Sequence, residues 1–372
     1  RAGGRYSMAA TPAGVKAMGF DYASALVASL QSELPALKVG RASEALVGLK
    51  VVVAGGSVAG LAAAACLKKA GFRDVKVYEK EAALGRAGAG VGLDDATAAI
   101  LKGLGIIIDV APTRYVEERT SDRLLQRQPY PYWSTRYADL REGLLRACCD
   151  ADVDVTFRRR VVAAAARQHE DEAASFGKVA TAWDVVTDQG EMTVREEEEE
   201  ADLLVVADGP RSTFRETPLR YAGYVAWRGT VARDALSPEA RAALERELPL
   251  LGNCLFFLHS RHCHGVLYDM GRGVLNWLVY ENSAEPRAGD QRRKTTSGLS
   301  LKEELPFFNG GVFSLDRWGP GFGSVLRETK REDIFRTDVY DLEKPLPTLF
   351  RDDKDKDDDK DDDKDVKDKD MA

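Results

Sequence analysis

Three groups of residues in this chain have the types and spacing to hold a phosphorylated cofactor. Gly55-Gly56-Ser57-Val58-Ala59-Gly60 carries the first and last glycines of the G-x-G-x-x-G pattern. In that pattern the first glycine permits a tight turn and the last lets a helix pack closely on a strand. Backbone N–H groups at the helix start then face a pyrophosphate. Ser57 stands where the middle glycine belongs; its small side chain preserves close approach, and its hydroxyl can donate a hydrogen bond. Glu79, followed by Lys80, lies 19 residues beyond Gly60, where an acid can accept hydrogen bonds from ribose hydroxyls. An acid there favours FAD or NAD over NADP as the tightly held nucleotide. Asp208-Gly209, in "ADGPRSTFR", is the third group, with Ser212 and Arg215 spaced to approach phosphates.

The elements that must position these groups are legible around them. "LKVVVA", the glycine turn, "VAGLAAAACLKKA" closed by Gly71, and "DVKVYE" read as a strand, turn, helix and strand. That is a βαβ unit of about 30 residues, which requires a parallel pair with a right-handed crossover. Further helices are expected from Asp94 to Gly103, whose acidic start suits the positive helix end, and from Tyr137 to Cys149. "VDVTFRRRVVAAAA" and "AWDVVTDQGEMTVR" are β-rich, with a turn at Asp188-Gln189-Gly190. The run Glu196 to Glu200 reads as a solvated loop, and "ADLLVVADG" as a buried parallel strand ending at a ligand crevice. From Tyr221 to Tyr280, aromatic-rich alternating segments predict an antiparallel sheet with one buried face.

The fold class expected is therefore α/β: a Rossmann-like parallel-sheet domain at residues 48–220, then an antiparallel-sheet substrate domain with a return strand at 221–345. Residues 1–47 hold five basic and three acidic side chains and read as a poorly ordered leader or a transit-like segment. Residues 346–372 read as a disordered tail, because 352–370 contain twelve Asp and six Lys. That tail carries most of the formal net charge of −7, leaving the remainder near neutral without the basic face that nucleic acid requires. Five irregularly spaced cysteines argue against a disulfide framework. The apolar run Val51 to Leu67 falls short of the roughly 18 residues of a membrane span.

With these groups in place, the chain resembles the flavoprotein aromatic hydroxylases of the para-hydroxybenzoate hydroxylase type, the class A FAD monooxygenases. The fingerprint with Glu79, "GRAGAGVGL", "YADLREGLL" and "ADGPRSTFR" carry the likeness. "YAGYVAWRG", "LNWLVYEN" and "VLRETKREDIFRTDVYDL" are most similar to the 2,6-dihydroxypyridine hydroxylase branch, and the likeness runs from Leu49 to Leu346. It implies that Gly55, Gly56, Ser57, Val58 and Gly60 hold the FAD pyrophosphate, Glu79 beside Lys80 the adenosine ribose, and Arg86 with Gly88, Ala89 and Gly90 the flavin side. Either Arg136 or Arg141 would reach toward phosphate, and Asp208 and Gly209 would serve both FAD and a passing nicotinamide nucleotide.

The implied activity is hydroxylation of a small aromatic or heteroaromatic compound, with NADH or NADPH as co-substrate and O2 as oxygen donor. No catalytic residue is singled out, since such enzymes rely on the flavin. The chain departs from the family at its end: after "YDL" it runs into the Asp/Lys tail where the second Gly-Asp FAD motif is expected, so it reads as truncated there. Gly289-Asp290 lies too early in a polar loop to replace that motif. The rival reading is a non-catalytic FAD- or NAD-binding remnant; a weaker third is an NAD-dependent dehydrogenase. A cytoplasmic location, or an organellar one if 1–47 is a transit segment, and a homodimer are further expectations.

His259, His262, Cys263 and His264 invite a metal reading, but strand alternation would split Cys263 from its neighbours, and no metal is expected. Trp227, Arg228, Trp277 and Tyr280 could line a substrate pocket or pack a sheet face.

Overall fold

The apolar run after Lys50 forms β1 (Lys50–Ala54), buried along all but its first residue, and leads through the glycine turn into α1 (Val58–Ala70). Gly71 closes α1 in the left-handed conformation (φ 106°), its N–H donating to the carbonyls of Leu67 and Lys68. β2 (Asp74–Glu79) follows and pairs parallel with β1. The computed structural model describes residues 40–84, 89–165, 178–186, 192–210, 212–215, 217–284 and 315–342.

Next come β3 (Gly90–Leu93) and α2 (Asp95–Gly103), the latter capped as expected by the Asp94 carboxylate, which accepts the Thr97 N–H at 2.8 Å. β4 (Ala111–Arg119) and β5 (Leu124–Arg136) form a long hairpin that runs directly into α3 (Tyr137–Asp150). β6 (Asp154–Phe157) returns to the parallel sheet. β7 (Arg160–Ala165), β8 (Lys178–Val186) and β9 (Met192–Glu200) form a separate antiparallel sheet. β10 (Leu203–Val206) completes the parallel sheet in the order β10-β1-β2-β6.

The remaining elements are β11 (Leu219–Ala232), α4 (Pro238–Glu247), β12 (Cys254–Ser260), β13 (Cys263–Asp269), β14 (Val274–Asn282), α5 (Leu315–Glu328) and β15 (Ile334–Leu342). Their sheet has the order β15-β11-β14-β13-β12-β4-β5-β3, antiparallel except for the β12–β4 pair. Strands β3, β4 and β5, from the part of the chain nearest the glycine turn, thus hydrogen-bond into the large sheet.

Two cores hold these layers. Val51, Val53, Val75 and Val77 of the parallel sheet pack against Leu61 and Ala64 of α1 and Leu140, Leu144 and Cys148 of α3. The second core lies between one face of the large sheet and α4 with α5, where Trp227, Trp277, Phe256 and Leu267 meet Leu244, Trp318 and Phe322. Gly265 is small because a Cβ there would sit 2.7 Å from the Phe322 ring. Burying one such large apolar side chain contributes about 1.5–3 kcal/mol.

Two local expectations change. Glu196 to Glu200 is the end of β9, paired with β8, and no loop. The low strand propensity of glutamate is overridden by pairing: Glu199 accepts from Lys76 at 2.6 Å and from the Tyr78 hydroxyl, and Glu197 accepts from Arg159. β10 is parallel as expected, yet it is the outer strand of its sheet among the described residues and leaves Leu203 and Val206 exposed. The turn at Asp188–Gly190 and the pair Gly289-Asp290 lie outside the described residues, as do residues 1–39 and 343–372.

Candidate cofactor and substrate site

The carboxyl ends of β1, β2 and β10 bring the three sequence groups together. β1 has β2 on one side and β10 on the other, and at such a reversal of strand order an open parallel sheet forms its ligand crevice. Gly55 has φ +107°, and a Cβ on it would lie 2.3 Å from the Ala207 carbonyl oxygen, at the end of β10. Glycine is therefore required there for both conformation and space. A Cβ on Gly60 would lie 1.8 Å from the Gly55 carbonyl oxygen and 3.2 Å from Val53 Cγ1. Turn, helix start and strand end are in mutual backbone contact.

Glu79 is buried, and its two oxygens each accept a backbone N–H: Oε2 from Gly56 at 2.8 Å and Oε1 from Glu81 at 2.9 Å. The carboxylate thus shapes the glycine turn, and each oxygen keeps acceptor capacity for a ribose hydroxyl. Lys80 beside it is exposed, and Val58 packs half-buried on the core behind the turn.

Ser57 occupies the N-cap position of α1 without capping it. Its hydroxyl instead shares a 2.6 Å hydrogen bond with the Tyr137 hydroxyl at the start of α3. The first turn of α1 contains no acidic residue, so the N–H groups of Val58, Ala59 and Gly60 point out uncapped among the described residues. An uncapped helix start carrying partial positive charge fits a pyrophosphate.

Asp208 is taken up locally, its Oδ2 accepting the Thr213 N–H at 2.9 Å. Gly209 has φ +84° with open space around it, so only its backbone conformation calls for glycine. Arg215, spaced in the sequence to approach phosphate, donates to the carbonyls of Pro210 (2.7 Å) and Thr217 (3.2 Å) and braces its own loop.

On the other side of the crevice, the Ala89 carbonyl accepts the Tyr137 N–H at 2.9 Å, and the Gly90 N–H donates to Asn276 Oδ1 at 2.7 Å. A Cβ on Gly90 would meet the Tyr268 hydroxyl at 2.5 Å and Met270 Sδ at 2.7 Å. This is where the nucleotide-side turn docks on the large sheet. Arg86 and Gly88 lie outside the described residues. Arg136 is half-buried opposite Gly90 in the β3–β5 pair. The Arg141 guanidinium lies 5.7 Å from the Tyr137 ring centroid, and its Nε is buried without a hydrogen-bond partner among the described residues.

The large sheet offers its second face to this crevice. Trp227 and Trp277 point away into the helix-packed core, their indole N–H groups bonded to Glu281 (3.3 Å) and Thr329 (2.9 Å). Arg228 and Tyr280 belong to the opposite, open face with Asn276, Leu278, Val266 and Tyr268. A groove of about 610 Å³ runs along it, lined by Tyr224, Phe257, His264, Leu278 and Tyr280. His264 stacks on Tyr280 at 4.6 Å between centroids. Burial, then the nearby His259, pushes the His264 pKa down. The four residues that invited a metal reading all border this groove: Cys263 is buried toward the helices, His264 stacks on Tyr280, His262 sits in a turn at φ 63°, and His259 lies 3.2 Å from Glu118.

Tyr137, Asn276, Tyr268 and Met270 join the site without having been marked in the sequence. Asn276 left a signal, since it is a lone amide in the apolar strand "GVLNWLVYEN" and is 1% exposed. The other three look like ordinary strand and helix residues until the sheets dock.

A glycine turn, an uncapped helix start and a strand-end carboxylate at the reversal point of a parallel sheet define a dinucleotide-binding protein. Residues 48–224 match the family described as "FAD binding domain". The chain is 29% identical over 209 residues to 3-amino-4-hydroxybenzoate 2-monooxygenase of Streptomyces platensis, covering 50% of this chain and 47% of that one. It is 27% identical over 213 residues to 6-hydroxynicotinate 3-monooxygenase of Pseudomonas fluorescens, covering 52% and 50%. The chain therefore spans about half the length of the curated relatives it matches. The solved structure of 2,6-dihydroxypyridine-3-hydroxylase from Arthrobacter nicotinovorans superposes with a TM-score of 0.56 at 21% identity, over 79% of this chain and 73% of that one, and shares the fold. Among the described residues, no helix is long and apolar enough to cross a membrane.

Proposed function

We propose that the protein is an FAD-dependent monooxygenase that hydroxylates a small aromatic or heteroaromatic compound, with NADH or NADPH and O2 as co-substrates. The carrying observation is the Gly90 N–H to Asn276 hydrogen bond, which fastens the FAD-binding side directly to an open sheet face rich in tyrosine, phenylalanine and histidine. The two monooxygenase relatives act, by name, on hydroxylated ring carboxylates, which supports the same reaction class here.

Gly55 to Gly60 would hold the pyrophosphate through the α1 N–H groups, and Glu79 would receive the adenosine ribose. Arg141 would approach the phosphates from the helix face it shares with Tyr137, four residues earlier. Ala89 and Gly90, with Arg86 and Gly88 before them, would border the flavin, and Asp208 and Gly209 would close the crevice from β10. Bound there, FAD would supply the redox chemistry that couples oxidation of the nicotinamide to insertion of one oxygen atom of O2 into the ring, the other leaving as water. The open face of the large sheet orients the ring and keeps water out.

The test is to incubate the purified chain with FAD, remove the excess and record the visible spectrum. NADH and NADPH oxidation are then followed with and without a panel of hydroxylated aromatics. Retained flavin and ring-stimulated oxidation with a hydroxylated product are expected. A folded chain that keeps no flavin refutes the proposal.

A further inference from the structure

Tyr130 and Tyr132 form an aromatic pair near the edge of the large sheet, their ring centroids 5.1 Å apart and their planes tilted by 39°. They alternate with Pro129 and Pro131 along β5, and Tyr130 is 39% exposed although its strand is paired with β4. The Tyr132 ring lies across β3: a Cβ on Gly92 would fall 1.8 Å from its ring atoms, so glycine at that position seats it. On its outer side β5 is covered by β3 only from Trp133 to Arg136, and the stretch holding Tyr130 has no further strand among the described residues. Pro129 and Pro131 have no N–H to offer such a strand, a residue choice that keeps a sheet edge open. Neither tyrosine belongs to the aromatic groove, which is lined from β11 to β14. Arg114 of β4 lies opposite the Tyr130–Pro131 step, between the pairs Thr113–Tyr132 and Tyr115–Pro129; it is exposed and makes no ion pair among the described residues. The carboxylates at the start of α2, beside this strand, are engaged: Asp94 accepts the Thr97 N–H, and Asp95 accepts the Trp133 indole N–H at 3.0 Å.

The monooxygenase reading requires a second dinucleotide, the reductant, yet the one glycine fingerprint of the chain is given to FAD. The reductant therefore needs a surface without a fingerprint, open to solvent and adjoining the strand that borders the flavin. A purine binds such a surface by stacking on aromatic side chains, since every base has a π-face. Resting on that reading, we propose that Tyr130 and Tyr132 form the docking platform for the adenine of NADH or NADPH, with Arg114 receiving its phosphates. From Tyr132 to Arg136, which lies opposite Gly90, β5 runs four residues, about 14 Å. An extended dinucleotide spans that distance, so the nicotinamide reaches the flavin side while the adenosine stays on the platform. An exposed guanidinium with no carboxylate of its own is suited to a phosphate, to which it presents paired N–H donors.

The test uses the full chain loaded with FAD and titrates it by calorimetry with ADP-ribose, which carries the adenosine and both phosphates without a nicotinamide. Tyr130→Ala is expected to weaken binding at least fivefold, and Tyr130→Phe to keep the wild-type affinity, because the ring and not the hydroxyl stacks. Arg114→Gln is expected to weaken binding and to flatten its salt dependence. In anaerobic stopped flow, Tyr130→Ala should raise the NADH or NADPH concentration for half-maximal flavin reduction by a similar factor. Should Tyr130→Ala fail to fold, Tyr130→Leu, of comparable bulk without a ring, takes its place. No binding of ADP-ribose at millimolar concentration, wild-type affinity in Tyr130→Ala, or equal losses in Tyr130→Ala and Tyr130→Phe overturns the assignment. A chain that retains no FAD refutes the monooxygenase reading instead. ADP-ribose titrated onto that unloaded chain still decides the platform: a loss confined to Tyr130→Ala supports it, and a loss confined to Gly60→Ala overturns it by placing the adenosine at the glycine turn.

Discussion

Replacing Gly60 by alanine tests the cofactor site at its tightest point. The added Cβ would lie 1.8 Å from the Gly55 carbonyl oxygen. An ordinary carbon–oxygen contact needs about 3.3 Å. The start of α1 and the glycine turn must therefore part by roughly 1.5 Å, and the opposing atom is backbone, which cannot rotate aside. A displacement of that size would break at least one N–H hydrogen bond to the proposed pyrophosphate, and a hydrogen bond to a charged group contributes about 1.5–3 kcal/mol. FAD affinity should fall roughly 10- to 150-fold, at about 1.4 kcal/mol per factor of ten. Overpacking should also lower stability by about 1–3 kcal/mol without FAD. Flavin fluorescence titration measures the first effect and thermal unfolding of the FAD-free protein the second. Gly252→Ala, between α4 and β12, serves as the control, since its φ is also positive (+101°) and its added Cβ meets nothing within 4 Å, so only the backbone conformation is strained. A Gly60→Ala protein that binds FAD like the wild type and melts at the same temperature would refute the proposed packing of turn on helix.

Other consequences can be checked alongside. Glu79→Ala leaves the Gly56 and Glu81 N–H groups without their acceptor and should cost about 3 kcal/mol or more in stability together with FAD binding; equilibrium denaturation checks it. Burial raises the Cys66 thiol and pushes Cys148 up to about 11 and Cys254 up to about 12, while Cys149 is exposed. Iodoacetamide at pH 8 should therefore label Cys149 first, and peptide mapping that finds Cys148 or Cys254 labelled earlier would contradict the packing of α3 and β12. Glu247 is held by the Gly321 N–H at 2.7 Å, yet burial raises its pKa above 4.5. As pH rises the unfolded chain loses this proton first, so the contribution is complete below about 4.5 and is lost as pH climbs through the raised folded value. Glu247→Gln should accordingly gain in melting temperature relative to wild type between pH 4 and pH 7; a constant difference would count against the burial of this carboxylate.

The βαβ unit was legible because its signals are local. β1, α1 and β2 follow from an apolar run, a glycine turn, a 13-residue helix and its Gly71 stop, all within 30 residues. Asp94 as a helix cap and the strands around Trp227 and Trp277 were readable for the same reason. The glutamate run was misread because its strand depends on Lys76, Tyr78 and Arg159, which are remote in sequence.

The residues of Gly55 to Gly60 by themselves determined a tight turn between strand and helix, since a positive φ and close backbone approach leave little choice but glycine. Tertiary structure alone decided that Ser57 would turn from its helix to Tyr137, that Glu79 would brace the turn it was expected only to follow, and that Gly90 would meet Asn276 across 186 residues. It also decided which of Trp227, Arg228, Trp277 and Tyr280 face the core and which the groove. Alternation along a strand sorts residues into two faces, but only the docking of α4 and α5 on one of them leaves the other, with Arg228 on it, open to a ligand.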